Sequence, residues 1–110
     1  MELYIGGFAQ GKLAYVIQKH EEHQEQIVNH MHLWFRELLQ NDEDAEQVIL
    51  DYCEEHPDCI LICDEIGNGI VPIDEMERTY RERLGRLLIE LAKRADTVER
   101  VICGIGQKLK

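Results

Sequence analysis

Cys59-Ile60-Leu61-Ile62-Cys63-Asp64-Glu65 is the stretch on which the reading of the whole chain turns. Its first five residues are a continuous apolar run. Such a run reads as a strand buried on both faces, the mark of a parallel sheet. Two acids follow at once. In an open α/β sheet this end of a strand is the edge where ligands bind. The alternative is a strand that simply leaves for solvent through polar residues, and both readings stand at this point.

Outward from that strand the elements alternate. Residues 66–72 form a Gly/Pro loop, and Ile73 to Arg94 reads as a long amphipathic helix capped by Asp74. Thr97 to Cys103 reads as a last strand. Upstream, a helix over about 44–56 starts at Asp42 or Asp44 and ends at Pro57-Asp58. Leu33 to Leu39 is helical, whereas residues 26–30 fit either a short strand or the front of one long helix. Residues 2–6 read as a strand ending in glycine, and 12–24 as a helix with Leu13, Val16 and Ile17 on one stripe. Strands alternating with helices give right-handed βαβ units. The expected fold is α/β: three layers, with a mostly parallel sheet of about four strands between helices.

The first strand runs into Gly6-Gly7-Phe8-Ala9-Gln10-Gly11-Lys12. Gly6-x4-Gly11-Lys12 matches the first seven positions of a Walker A phosphate loop. That loop needs glycines so that consecutive backbone N–H groups can face phosphates, and lysine to reach the β and γ phosphates. Its eighth position should be Ser or Thr, whose hydroxyl holds Mg²⁺. Here it is Leu13. With a glycine loop on one strand, Asp64 and Glu65 on another resemble a Walker B strand end. The competing reading is a glycine turn that binds nothing.

Composition narrows the partners. The chain has 110 residues, one domain's length, and is 45% hydrophobic, enough for a packed interior. Residues 1–70 carry 15 acids against 3 bases, and residues 71–110 carry 7 against 9. A chain of net charge −10 is a poor binder of nucleic acid or anionic membrane, so any phosphate must be held locally. No apolar run is long enough to span a bilayer. The start of the chain has no basic n-region, and none of Cys53, Cys59, Cys63 and Cys103 forms a CxxC pair. A reducing cytoplasm and no disulfide framework are expected, with Cys63 and Cys103 as small core residues.

The C-terminal block carries a specific resemblance. Asp64-Glu65-Ile66-Gly67-Asn68-Gly69-Ile70-Val71-Pro72 resembles the Asn-Glu-Val-Gly-x-Gly-Ile-Val-Pro of the bifunctional adenosylcobinamide kinase / adenosylcobinamide-phosphate guanylyltransferase family of cobalamin biosynthesis. Arg78-Thr79-Tyr80-Arg81-Glu82-Arg83-Leu84-Gly85-Arg86 is similar to that family's Arg-x-aromatic-Arg-Asp-x-x-Gly-Arg helix. Leu91-Ala92-Lys93-Arg94-Ala95-Asp96-Thr97-Val98 and the Gly104 to Lys110 tail follow in order, and Asn29 to Phe35 resembles the family's Asp-Cys-Leu-Thr-Leu-Trp-Leu. The likeness covers about residues 1–16 and 27–110.

The resemblance implies a P-loop NTPase-like fold with an internal deletion. It implies GTP or ATP with Mg²⁺ as cofactor, a nucleotide or corrinoid ligand, and a homo-oligomer. It assigns Gly6, Gly7, Gln10, Gly11 and Lys12 to the nucleotide, Asp64 and Glu65 to the catalytic or metal-proximal edge, and Arg78, Arg81 and Arg86 to phosphate or substrate. Without it, these arginines read as ordinary i,i+4 partners of Glu75, Glu77, Glu82 and Glu90. The chain departs from the pattern at Leu13, at Asn29 where the family has an acid, and at Leu88-Ile89 where it has Asn-Gln. Only residues 13–26 fill the interval that holds the family's guanylyl-accepting histidine. A shortened, catalytically impaired member is expected. The alternative is an active minimal GTP- or ATP-dependent cobinamide kinase or nucleotidyltransferase. His20 and His23, like His30 and His32, have a spacing that two metal ligands can share, but no third ligand is identifiable and no metal site is assigned.

Overall fold

The computed structural model describes residues 1–41, 43–66 and 74–110. Its elements in chain order are β1 (Glu2–Gly6), α1 (Lys12–Lys19), a 3₁₀ segment (Glu21–Gln26), β2 (Ile27–Val28), α2 (Met31–Gln40), α3 (Ala45–Glu55), β3 (Ile60–Asp64), α4 (Glu75–Arg94), β4 (Thr97–Ile102) and β5 (Ile105–Lys108). The strands form one sheet in the order β2-β3-β1-β4-β5. The first four are mutually parallel, as the apolar run of β3 requires. β3 is buried from Ile60 through Cys63 and opens only at Asp64.

The two faces of the sheet are covered unequally. Leu3, Leu61, Cys63 and Val98 point into a large core with Met31 and Phe35 of α2, Ala45, Ile49 and Cys53 of α3, and Tyr80, Leu84, Leu87 and Leu91 of α4. Tyr4, Ile60, Ile62 and Val101 form a smaller core against Val16 of α1. This is the expected three-layer α/β arrangement.

The sheet has five described strands rather than about four, and the added one is antiparallel. Cys103 (φ 52) and Gly104 (φ 74) both adopt left-handed conformations between the paired residues Ile102 and Ile105. A two-residue loop of this kind matches the twist of a hairpin. Cys103 is therefore an exposed turn residue and not the core residue expected from its neighbours. The glycine at 106, which weakens a strand signal, is required here. A Cβ at that position would overlap the ring and hydroxyl of Tyr15. All four cysteines are free thiols.

α1 is shorter than the expected 12–24. It ends at Lys19, and His23 is non-helical (φ −130, ψ 35) inside the 3₁₀ segment. Residues 20–26 contain no apolar side chain, so nothing on that stretch can dock a further helical turn against the sheet. The His20/His23 pair accordingly lacks the helical spacing on which metal sharing depended. Residues 26–30 resolve to the strand alternative: Ile27 and Val28 pair with Ile60 and Leu61.

Asp44 occupies the N-cap position of α3, without a side-chain cap bond, and Asp42 lies outside the described residues. Asp74 caps α4 as expected, its carboxylate accepting from the backbone N–H of Met76 at 2.8 Å. Ile73, with residues 67–72 of the Gly/Pro loop, lies outside the described residues.

Candidate functional site

The topology makes a crevice at one place. From β1 the chain passes over β3 to reach β2, and from β3 it passes over β1 to reach β4. The carboxyl ends of β1 and β3 are therefore adjacent, with Gly6 beside Asp64, and connections leave them in opposite directions. In open α/β sheets ligands bind at such a switch point.

Gly6 is fixed by its surroundings. A Cβ there would lie 2.5 Å from the carbonyl oxygen of Val101, and its own carbonyl accepts from the N–H of Glu65 at 2.7 Å. Gly11 caps α1 in the left-handed region, at φ 81. Between them Gln10 ties the glycine loop to the β4–β5 turn. Its side-chain oxygen accepts from the N–H of Cys103 and its backbone carbonyl from the N–H of Gly104, each at 2.8 Å.

Lys12 is the first residue of α1 and is only 7% exposed. Its ammonium lies 2.7 Å from Asp64 Oδ1 and donates to the carbonyl of Gly7 at 2.6 Å. Asp64 is held from the other side by His32. The backbone N–H of Asp64 donates to His32 Nδ1 at 3.1 Å, and Asp64 Oδ2 lies 3.4 Å from His32 Nε2. Burial pushes the His32 pKa below its ordinary value, and nearby His30 and Lys12 push the same way. Asp64 opposes them without prevailing.

His32 is itself pinned. The buried hydroxyl of Tyr80 donates to its carbonyl at 2.8 Å. Burial raises Tyr80 to about 12, so the phenol stays a donor at neutral pH. Burial likewise lifts the Cys63 thiol to about 12, which removes it as a nucleophile. Next in the chain, Glu65 accepts from Arg100 Nε of β4 at 3.0 Å.

A cleft of about 280 Å³ opens over this cluster. Phe8, Gln10, Gly11 and Lys12 line one side, and Asn29, His30 and Asp64 another. The first turn of α1, including Leu13, also lines it. The amino end of a helix, with its unpaired N–H groups and positive dipole end, suits an anion.

The residues singled out in the sequence divide into two groups. The structure brings Gly6, Gly7, Gln10, Gly11, Lys12 and Asp64 together, with Glu65 directly behind. Arg78, Arg81 and Arg86 lie on α4, and no α4 residue is among the described residues lining the cleft. Arg86 forms an exposed ion pair with Glu82, four residues earlier. Glu77 is bound by Arg36 of α2, at 2.8 and 3.2 Å. Sequence reasoning missed His32, Tyr80 and Arg100 as site residues. The pair His30-x-His32 signalled only two weak ligands. The described residues contain no cluster of three His, Cys, Asp or Glu side chains fit for a metal.

A parallel sheet whose central strand hands the chain to a glycine loop, a lysine and a helix, with an acid on the neighbouring strand, is the architecture of P-loop NTPase-like α/β proteins. The comparisons narrow the class. The family model for cobinamide kinase / cobinamide phosphate guanyltransferase matches residues 8–109. The chain belongs to this family. It is 38% identical over 69 residues to the bifunctional adenosylcobalamin biosynthesis protein CobU of Salmonella typhimurium, covering 62% of this chain and 38% of that protein. It is 34% identical over 79 residues to CobU of Escherichia coli, covering 70% and 44%. To the bifunctional adenosylcobalamin biosynthesis protein CobP of Pseudomonas aeruginosa it is 32% identical over 90 residues, covering 76% and 52%. The matched region thus spans about two fifths to one half of the length of these relatives.

Proposed function

We propose that this chain binds the phosphates of a nucleotide, GTP or ATP, in the cleft at the carboxyl ends of β1 and β3. In this reading it is a member of its family whose catalytic steps are impaired. The observation that carries the binding half is Lys12, held at the mouth of α1 beside Asp64 in the crevice of the sheet. A buried ammonium at a helix amino end, after a glycine turn, is the arrangement that phosphate recognition uses.

Impairment is supported by side chains at specific places. Leu13 stands where a hydroxyl would be required, and Asn29, in the cleft wall, stands where the family pattern has an acid. The interval after Lys12 holds only α1 and the 3₁₀ segment before β2 begins. The one histidine on α1 or at its end, His20, is turned to Tyr4 and Glu2 at 3.1 and 3.4 Å and is not among the described residues lining the cleft. A covalent nucleotidyl intermediate needs a nucleophile placed at the phosphate. A corrinoid as second ligand and self-association belong to the same reading and rest on the resemblance, and residence in the cytoplasm rests on the cysteine pattern and the absence of a basic n-region.

Calorimetric titration with GTP, GDP and ATP tests it. Saturable binding that disappears in Lys12→Met, a variant that keeps the aliphatic volume, is the expected result. Absence of heat with every nucleotide would reduce the glycine loop to a turn. Phosphate transfer to cobinamide at a rate typical of kinases would remove the impairment half.

A further inference from the structure

We infer that the cleft takes its phosphate ligand as the free anion, without a divalent cation. The inference rests on the nucleotide reading above and specifies the form of the ligand.

Mg²⁺ demands near-octahedral oxygen ligands. P-loop sites supply them from the hydroxyl after the lysine and from the acid of the neighbouring strand. The donor set among the described residues does not fit that ion. Residue 13 is leucine and offers no oxygen. Both oxygens of Asp64 face protein groups: Oδ1 faces Lys12 at 2.7 Å and Oδ2 faces His32 Nε2 at 3.4 Å. The imidazole cannot swing aside freely. Its Nδ1 is bound to the Asp64 N–H, and its backbone is held by Tyr80. The other acid at the strand end, Glu65, is bound by Arg100. The cleft wall contributes a neutral amide, Asn29.

A cation entering at Asp64 would have to displace the Lys12 ammonium, which is 7% exposed, and leave a buried positive charge beside a second one. An anion meets the opposite situation. Lys12 spends one N–H on Gly7 and one on Asp64, and an ammonium has three. One N–H is left over, and both Lys12 and the amino end of α1 line the cleft. His32 and Lys12 occupy the coordination space of a metal with donors of the protein's own.

The two alternatives give Asp64 opposite roles. In a metal-bridged site the carboxylate attracts the nucleotide through the ion, and losing its charge weakens binding. In a metal-free site the carboxylate opposes the phosphates and competes for Lys12, so losing its charge strengthens binding.

The test is calorimetric titration of the full chain with ATP and GTP, once in MgCl₂ and once in EDTA, on the wild type and on Asp64→Asn. The expected result is a wild-type affinity that changes by less than about threefold on removing Mg²⁺, and an Asp64→Asn affinity about three- to tenfold tighter in EDTA. Binding seen only with Mg²⁺, or weakened in Asp64→Asn, overturns the inference while leaving the nucleotide reading intact. No heat in either buffer, for either protein, overturns the nucleotide reading itself. Should Asp64→Asn fail to fold, the wild-type comparison between MgCl₂ and EDTA decides alone.

Discussion

His32 and Asp64 are joined twice: the Asp64 N–H donates to His32 Nδ1 at 3.1 Å, and Asp64 Oδ2 faces His32 Nε2 at 3.4 Å. The first bond assigns the tautomer. A ring nitrogen that accepts carries no proton, so the neutral ring holds its proton on Nε2, toward the carboxylate. Adding a second proton would place it on Nδ1 and break the bond to the main chain.

That relationship has a pH signature. The folded pKa of His32 lies below the ordinary value of 6.5. As pH falls below about 6.5, the unfolded chain takes up a proton that the folded chain refuses, so stability declines until the folded value is reached. The urea midpoint should fall between about pH 7.5 and pH 5.5, and the fall should be shallower in His32→Asn, whose amide oxygen can still accept from Asp64. Equal slopes in the two proteins would remove His32 as the source.

Gly6 and Gly7 should differ sharply, although both sit in the same loop. A Cβ on Gly6 would press at 2.5 Å on a backbone carbonyl of β4, which cannot yield without moving the sheet. A Cβ on Gly7 would meet the Gln10 side chain at 3.6 Å, an ordinary contact. Gly6→Ala is expected to cost about 2–3 kcal/mol by chemical denaturation, and Gly7→Ala less than about 1. Similar losses in both would contradict the close approach of β1 and β4 at this point.

Gly106 makes room for a buried carboxylate network. Glu99 accepts from the Tyr15 hydroxyl at 2.7 Å and pairs with Lys19, joining α1 to β4 beneath the hairpin. Burial alone would raise the Glu99 pKa, and the bonds from Lys19 and Tyr15 bring it below the ordinary value. Gly106→Ala should destabilise by about 1–3 kcal/mol through overlap with Tyr15. The double variant with Tyr15→Leu should lose less than the sum of the single losses, because the overlap is gone. Strict additivity would place the clash elsewhere.

Tyr80→Phe isolates the support under His32. It deletes one buried hydrogen bond of 2.8 Å while keeping the ring stacked on Phe35. The expected loss is about 1 kcal/mol in thermal or urea unfolding. Arg86→Ala is the contrast on the same helix. Its ion pair with Glu82 is exposed, and its removal should stay within about 0.5 kcal/mol.

The parts of this fold that could be read in the sequence are those that local chemistry dictates. Ile60 to Cys63 is buried on both sides of the sheet and has no polar face to show. Asp74 caps α4 because a carboxylate there can reach an unpaired N–H, and that signal is local too. The meeting of Lys12 and Asp64 followed from two motifs on two strands, once those strands were taken as neighbours. β5 escaped because two glycines surround Ile105 and dilute the strand pattern. Its available signal was Cys103-Gly104, a two-residue turn between Ile102 and Ile105. His32 escaped for a different reason. Its role depends on where α2 docks against the end of β3, which no spacing along the chain records. The end of α1 was misplaced because helix propensity in residues 20–24 is adequate, while nothing apolar there could be buried.

The placement of β1 sets a condition on how the protein is made. Glu2 pairs with Ile60 on one side and with Thr97 on the other. β1 has neither of these neighbours until β3 has been synthesised, and the second, β4, is made later still. Gly6, pressed against the carbonyl of Val101, shares that wait. The sheet therefore cannot be assembled from the front as the chain appears. Closure of its middle is a late, long-range event, and a ribosome stalled before β4 would hold an unpaired apolar edge open to any other strand it met.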